Sequence, residues 1–269
     1  MSSGANIGDF QMLPLVILAG GLGTRLREET EYKPKPMVEI GSHPVIWHIM
    51  KHYSFHGFNE FIICTGYKKE IIQDYFINFK LRNSDFTIDL NNDQTQIIDH
   101  SETKENWKIT IVDTGELSNT GERLLRIKKY IKTDNFMCTY GDGLSNVNIT
   151  ELVNFHESNS KIATLTAVKP QGRFGVLEIE HGSNLISSFI EKPTGDTWIN
   201  GGFFVFKSSI FDYIKQNDIL EQRPLETLSN SNELVAYRHN GFWQPMDTYR
   251  EYSLLNQLWD EGKAPWKVW

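Results

Sequence analysis

Residues 13–26 read LPLVILAGGLGTRL, an apolar run that ends in three glycines within four positions. A short continuous apolar run bounded by turn residues is the pattern of a buried strand. The glycines at 20, 21 and 23 let the backbone approach a ligand closely and turn its N–H groups toward an anion. Neither of the common phosphate loops is present. GxxxxGK[ST] is missing, and Leu26 stands where the dinucleotide fingerprint needs a third glycine. A phosphate fits such a loop, whereas a dehydrogenase reading is weak.

Working outward, a helical pattern covers 44–56, EFIICTG at 60–66 reads as a second strand, and a second helical pattern covers 68–79. In the latter, Ile71, Ile72, Tyr75, Phe76 and Phe79 recur at helical spacing and place one apolar face against a sheet. FMCTYGDG at 136–143 is another buried strand that runs into a glycine turn. The order strand, helix, strand, helix predicts an α/β fold: a Rossmann-like mixed, mostly parallel sheet flanked by helices. Ligands of such sheets bind beyond the carboxyl ends of the strands. Past residue 160 the strand-like runs IATLTAV, FGVLEIE and FFVF precede a helical tail at 248–259. They suggest a smaller β-rich, sugar-facing half, roughly 146–269, packed on a nucleotide-binding half, roughly 13–145, within one domain. Residues 1–12 are polar and aperiodic and are expected to form a flexible arm.

Composition narrows the partners. The 269-residue chain has a net charge of −7 with Lys and Arg scattered along it, which argues against nucleic acid and against a basic membrane-binding helix. No apolar stretch approaches the roughly 18 residues of a membrane span, and the start lacks a signal-peptide pattern, so a soluble cytoplasmic protein is expected. The two cysteines, Cys64 and Cys138, lie in apolar runs without metal-ligand spacing and read as inert core thiols.

Small anionic substrates need only a local basic cleft. Arg25 supplies a permanently charged fork suited to phosphate oxygens, and KPKPM at 33–37 follows. Each X-Pro step biases its lysine toward an extended backbone, so Lys33 and Lys35 sit on a stiff strap beside the glycine loop. A basic surface turn is the alternative. Asp142, in GDG after a strand, suits either a turn or a metal ligand, and Asp247, just before the helical tail, suits either a helix cap or a ligand. The sequence offers no nucleophilic Ser or Cys dyad. A sugar phosphate attacking a nucleotide needs none, because its attacking oxygen is already an anion at pH 7.

LAGGLGTRL followed by KPKPM resembles the signature of the sugar-phosphate nucleotidyltransferases. The motifs WHIMKHYS, FIICTGYK, VDTG, TYGDG, GRFG, EKPTGD, INGGFF, GFWQPMDT and GKAPWK resemble, from about residue 14 to the C-terminus, the glucose-1-phosphate cytidylyltransferase subgroup. The resemblance implies conversion of CTP and α-D-glucose 1-phosphate to CDP-glucose and pyrophosphate with Mg2+, as a homo-oligomer, feeding CDP-linked deoxysugars of surface polysaccharide. By position it implies that Leu18, Ala19, Gly20, Gly21, Gly23, Thr24, Arg25, Lys35, Thr120, Arg123 and Gly141 hold the nucleotide. Asp142 and Asp247 would ligate Mg2+. Lys192 would clamp the sugar phosphate, with Gly175, Glu191, Asn200, Gly201 and Gly202 shaping the hexose pocket and Gly172, Arg173 and Phe174 in a sugar-side loop. EKP alone could equally be a plain turn. The family's TGGR stands here as TGER, with Glu122 in place of a glycine. Two alternatives stay open: the same chemistry with UTP or dTTP, since backbone groups can read a base without a side-chain signature, and a catalytically silent nucleotide-sugar sensor.

Overall fold

The structure, a computed structural model, describes residues 13–21, 23, 26–89, 96–99, 105–170, 176–179, 186–190 and 197–269. Its main sheet contains β1 (Leu15–Leu18), β2 (Glu60–Thr65), β3 (Lys108–Asp113), β4 (Asn135–Tyr140), β5 (Ala163–Val168), β6 (Ile199–Asn200), β7 (Phe204–Lys207) and β8 (Leu234–His239). The helices that matter below are α1 (Val45–Phe55), α2 (Lys69–Ile77), α3 (Thr120–Ile127), α4 (Ile149–Asn159), α5 (Arg223–Asn230) and α6 (Tyr249–Asp260). The strand order is β6-β5-β7-β4-β1-β2-β3, with β8 paired to β5. β1 runs parallel to both β4 and β2, β2 parallel to β3 and β5 parallel to β8, while β7 is antiparallel to β4 and β5. A Rossmann-like mixed sheet is therefore what the chain forms.

β1 lies at the centre because every residue in it is apolar and buried. Period-2 alternation then feeds two cores. Leu15, Ile17, Phe61, Ile63 and Met137 join the core beneath α1, α4 and α6, whereas Val16, Ile62, Cys64, Phe136 and Cys138 join the one beneath α3 and α5. Both cysteines are buried free thiols, and burial pushes the Cys64 thiol up to about 12. Trp266, near the C-terminus, is fully buried and packs on Phe242 and Trp259 as part of the core. Among the described residues, no helix is long and apolar enough to cross a membrane.

Candidate active site

The parallel strands β1, β2 and β4 end side by side, and the turns that leave β1 and β4 help to wall a cavity of about 560 Å3. Leu18, Ala19, Gly20, Gly21, Gly23, Lys35, Thr120, Arg123, Gly141, Asp142 and Asp247 all line it. Eleven residues proposed from five separated stretches of sequence thus meet around one space. Thr24, Arg25, Gly172, Arg173, Phe174, Gly175, Glu191 and Lys192 lie outside the described residues, as does the arm 1–12. Asn200, Gly201 and Gly202 stand behind the wall: Asn200 Nδ2 donates to the Tyr140 hydroxyl at 3.2 Å, and Gly201 O accepts from Trp243 Nε1 at 2.8 Å.

On the cavity wall, Lys35 Nζ donates to Asp142 Oδ2 at 2.6 Å and to Asp247 Oδ1 at 2.5 Å. The two aspartates, far apart in sequence, are brought together by a short antiparallel pairing of Gly143–Ser145 with Trp243–Pro245 and by the bond from Met246 N to Asp142 O. Helix capping falls to the neighbour of Asp247. Thr248 is the N-cap of α6 and forms a capping box with Glu251, whose carboxylate also accepts the Asp247 N–H. The Asp247 carboxylate therefore points at Lys35 and not at the helix. Burial pulls the Lys35 ammonium down, but the two carboxylates outweigh that and hold its pKa above the ordinary value. Lys35 is a charged group at neutral pH. It sits on a one-turn 3-10 helix, Lys35–Met37, preceded by Pro34, so the strap read from KPKPM tightens after its first lysine.

Arg123 takes a place that charge alone does not foretell. Its guanidinium is buried, and its terminal nitrogens donate to Gly20 O, Thr65 O, Gly115 O, Glu116 O and Thr114 Oγ1 at 2.8–3.2 Å. It fastens the glycine loop to the ends of β2 and β3. Glu122 pairs with Arg126 at 2.7 Å one helical turn away, so TGER runs as the regular first turn of α3. The close approach of Arg123 also explains Gly20: a Cβ there would lie 2.0 Å from Arg123 Nη1. Gly20→Ala is expected to cost about 2 kcal/mol through forced repacking and to lower nucleotide affinity, both readable by denaturant titration and calorimetry. An unchanged affinity would show that the loop tolerates displacement. Gly202, at φ 77°, precedes Phe203 at φ 46°, and this pair of left-handed residues separates β6 from β7 behind Tyr140.

Several wall residues have no signal in the sequence. Ser118, Asn119, Ile219 and Trp243 reach the cavity only through the fold. Tyr140 carries a legible signal, since it ends a buried strand immediately before GDG and has a polar tip.

Open α/β sheets hold their ligands beyond the carboxyl ends of the strands, and a cavity there walled by glycine backbone and a buried cation places this chain among phosphate-handling α/β proteins. The chain belongs to the nucleotidyl transferase family, whose sequence profile matches residues 15–249. Two curated relatives, the glucose-1-phosphate cytidylyltransferases of Salmonella typhi and Salmonella typhimurium, are each 53% identical over 258 residues, 94% of this chain and 98% of theirs. Among solved structures, HddC of Yersinia pseudotuberculosis shares the fold with a TM-score of 0.66 at 24% identity, over 92% of this chain and all of that one. Transfer of a nucleotidyl group to a sugar 1-phosphate is the general chemistry of this family.

Proposed function

We propose that the chain makes CDP-glucose and pyrophosphate from CTP and α-D-glucose 1-phosphate. Support for the substrates comes from the 53% identity to two glucose-1-phosphate cytidylyltransferases. Support for the chemistry comes from one observation above all, the Lys35 ammonium held between Asp142 and Asp247 beside the glycine loop.

The same pair of carboxylates suits Mg2+. Two hard oxygen donors already converge on a single cationic centre, and Mg2+ uses one or two carboxylates and completes its shell with phosphates and water. Charge neutralisation between the nucleotide α-phosphate and the incoming sugar phosphate is what the ion supplies when bound. The chain's own groups do the rest. Backbone N–H groups at residues 20, 21 and 23 receive the nucleotide phosphates, and Lys35, which lies against Gly23, offsets charge that builds on the leaving pyrophosphate together with Arg25. Lys192 aligns the sugar phosphate from the half spanning 146–269, so that its anionic oxygen attacks the α-phosphorus in line. The α-phosphorus gains the sugar-phosphate oxygen and loses the bridging oxygen to pyrophosphate, with no covalent enzyme intermediate.

Pyrophosphate release with glucose 1-phosphate and Mg2+, compared across CTP, UTP, dTTP, ATP and GTP, tests the proposal. Release confined to CTP is expected. Strong release with another nucleotide would overturn the base, and silence with all five would overturn the reading.

A further inference from the structure

Beside the cavity, one half-buried carboxylate accepts two hydroxyl protons from residues of different wall segments. Glu221 Oε2 takes the Thr120 Oγ1 proton at 2.7 Å, and Glu221 Oε1 takes the Tyr140 hydroxyl proton at 2.5 Å. Both donors are fixed from behind. Leu220 N donates to Thr120 Oγ1 at 2.9 Å, and Asn200 Nδ2 donates to the Tyr140 hydroxyl at 3.2 Å. Asn200 Oδ1 in turn accepts the Gly202 N–H at 3.0 Å, at the start of the left-handed pair. Thr120 opens α3, the helix whose Arg123 fastens Gly20. Tyr140 ends β4, one residue before Gly141. The chain of bonds therefore runs from the glycine-loop side to the 199–202 side through a single residue, and each hydroxyl is left with one orientation.

We propose that Glu221 is a positioning residue that couples the two sides of the cavity, so that the nucleotide held by one and the sugar phosphate held by the other are aligned together. The inference rests on the nucleotidyl-transfer reading above. A carboxylate is the side chain fit for this place, because it offers an acceptor oxygen to each hydroxyl and brings no proton of its own. An amide offers one acceptor oxygen, so the hydroxyl that faced its NH2 would have to turn its own proton away from residue 221.

A mutant cycle tests the coupling. Thr120→Val and Tyr140→Phe are made singly and together, in the wild-type chain and in Glu221→Ala, and KM for each substrate and kcat are measured for all. With Glu221 present, the effects of the two changes on kcat/KM are expected to depart from a simple product by about fivefold or more. In Glu221→Ala they should multiply independently, and each single change should raise KM for both substrates. Glu221→Gln, which keeps one arm, should fall between Glu221 and Ala, and it serves if the alanine variant does not fold. Independent multiplication with Glu221 in place would overturn the proposal, as would a variant with lowered Tm but unaltered KM and kcat. The assay uses whichever nucleotide the wild-type chain turns over, so an error about the base changes the substrate supplied and leaves the test of Glu221 intact.

Discussion

Asp142→Ala is expected to lower kcat on the order of 100-fold or more while the folded chain stays near wild-type stability. The two halves of that expectation have separate causes. In the structure the Asp142 side chain is 28% exposed, and its backbone carbonyl, which holds Met246 N, is untouched by the substitution. Lys35 keeps the Asp247 carboxylate as a partner, so no buried cation is stranded, and stranding is what makes the loss of half an ion pair costly. Phosphoryl chemistry depends instead on the charge placed around the transferred group, and removal of one carboxylate from a pair that grips a cation leaves that charge displaced. Asp142→Asn separates charge from shape, since it keeps the size and one acceptor oxygen but not the negative charge. It should lose nearly as much rate as alanine. Pyrophosphate release measured beside thermal melts reads both halves, and full activity in either variant would remove Asp142 from the reaction.

Much of this site is legible in the sequence, because the informative residues announce themselves by type. Glycines at 20, 21 and 23 after an apolar run, prolines around Lys35, and an aspartate between glycines each constrain backbone or charge in a way few other residues do. What the sequence hides is of two kinds. The resemblance puts Arg123 among the residues that hold the nucleotide, and in the structure its terminal nitrogens hold carbonyl and hydroxyl oxygens of the protein, a role set by three chain turns that meet only in the fold. Glu221 and Ile219 sit in IKQNDILEQRP, where nothing periodic or conformationally special marks them.

The fold shows the same division. Strands β1, β2, β4, β5 and β7 and helices α1, α2 and α6 follow from apolar periodicity, and their ends shift by a few residues. Helices α4 and α5, between strands, do not emerge from the pattern in the same way. α4 buries Ile149, Leu152, Val153 and His156, a correct helical stripe in which a histidine takes an apolar place. α5 has only eight residues, RPLETLSN, with Pro224 in its first turn and three buried positions, too short for periodicity to stand out. The N-cap of α6 is Thr248, one residue beyond the Asp247 that the sequence offers for that place. That single step decides whether a carboxylate faces a helix or a lysine.

Acidification from pH 7 to pH 5 is expected to destabilise the chain by about 6 kcal/mol, and three buried histidines are the reason. His48, His52 and His156 lie in the core, and burial brings each down to about 4 from an ordinary 6.5. The ring of His48 is held neutral by geometry as well: Trp266 Nε1 donates to its Nδ1 at 3.3 Å, and its Nε2 faces Ile40 O at 2.9 Å. His52 Nε2 faces Val147 O at 2.8 Å, and His156 Nδ1 pairs with Thr164 Oγ1 at 2.8 Å while its Nε2 has no partner among the described residues. Above pH 6.5 folded and unfolded chains alike carry neutral imidazoles. Below it the unfolded chain takes up protons that the folded chain refuses, so stability falls as pH drops from 6.5 toward 4 and levels off beneath that. Each group loses about 2 kcal/mol by pH 5, and three together rival the roughly 5–15 kcal/mol typical of a whole domain. Denaturant titrations at pH 7, 6 and 5 measure the slope, and His156→Gln should flatten it, since one of the proton uptakes that favour the unfolded chain is removed. A stability that is level between pH 7 and pH 5 would mean that the core admits the charged rings, against the burial that holds them neutral.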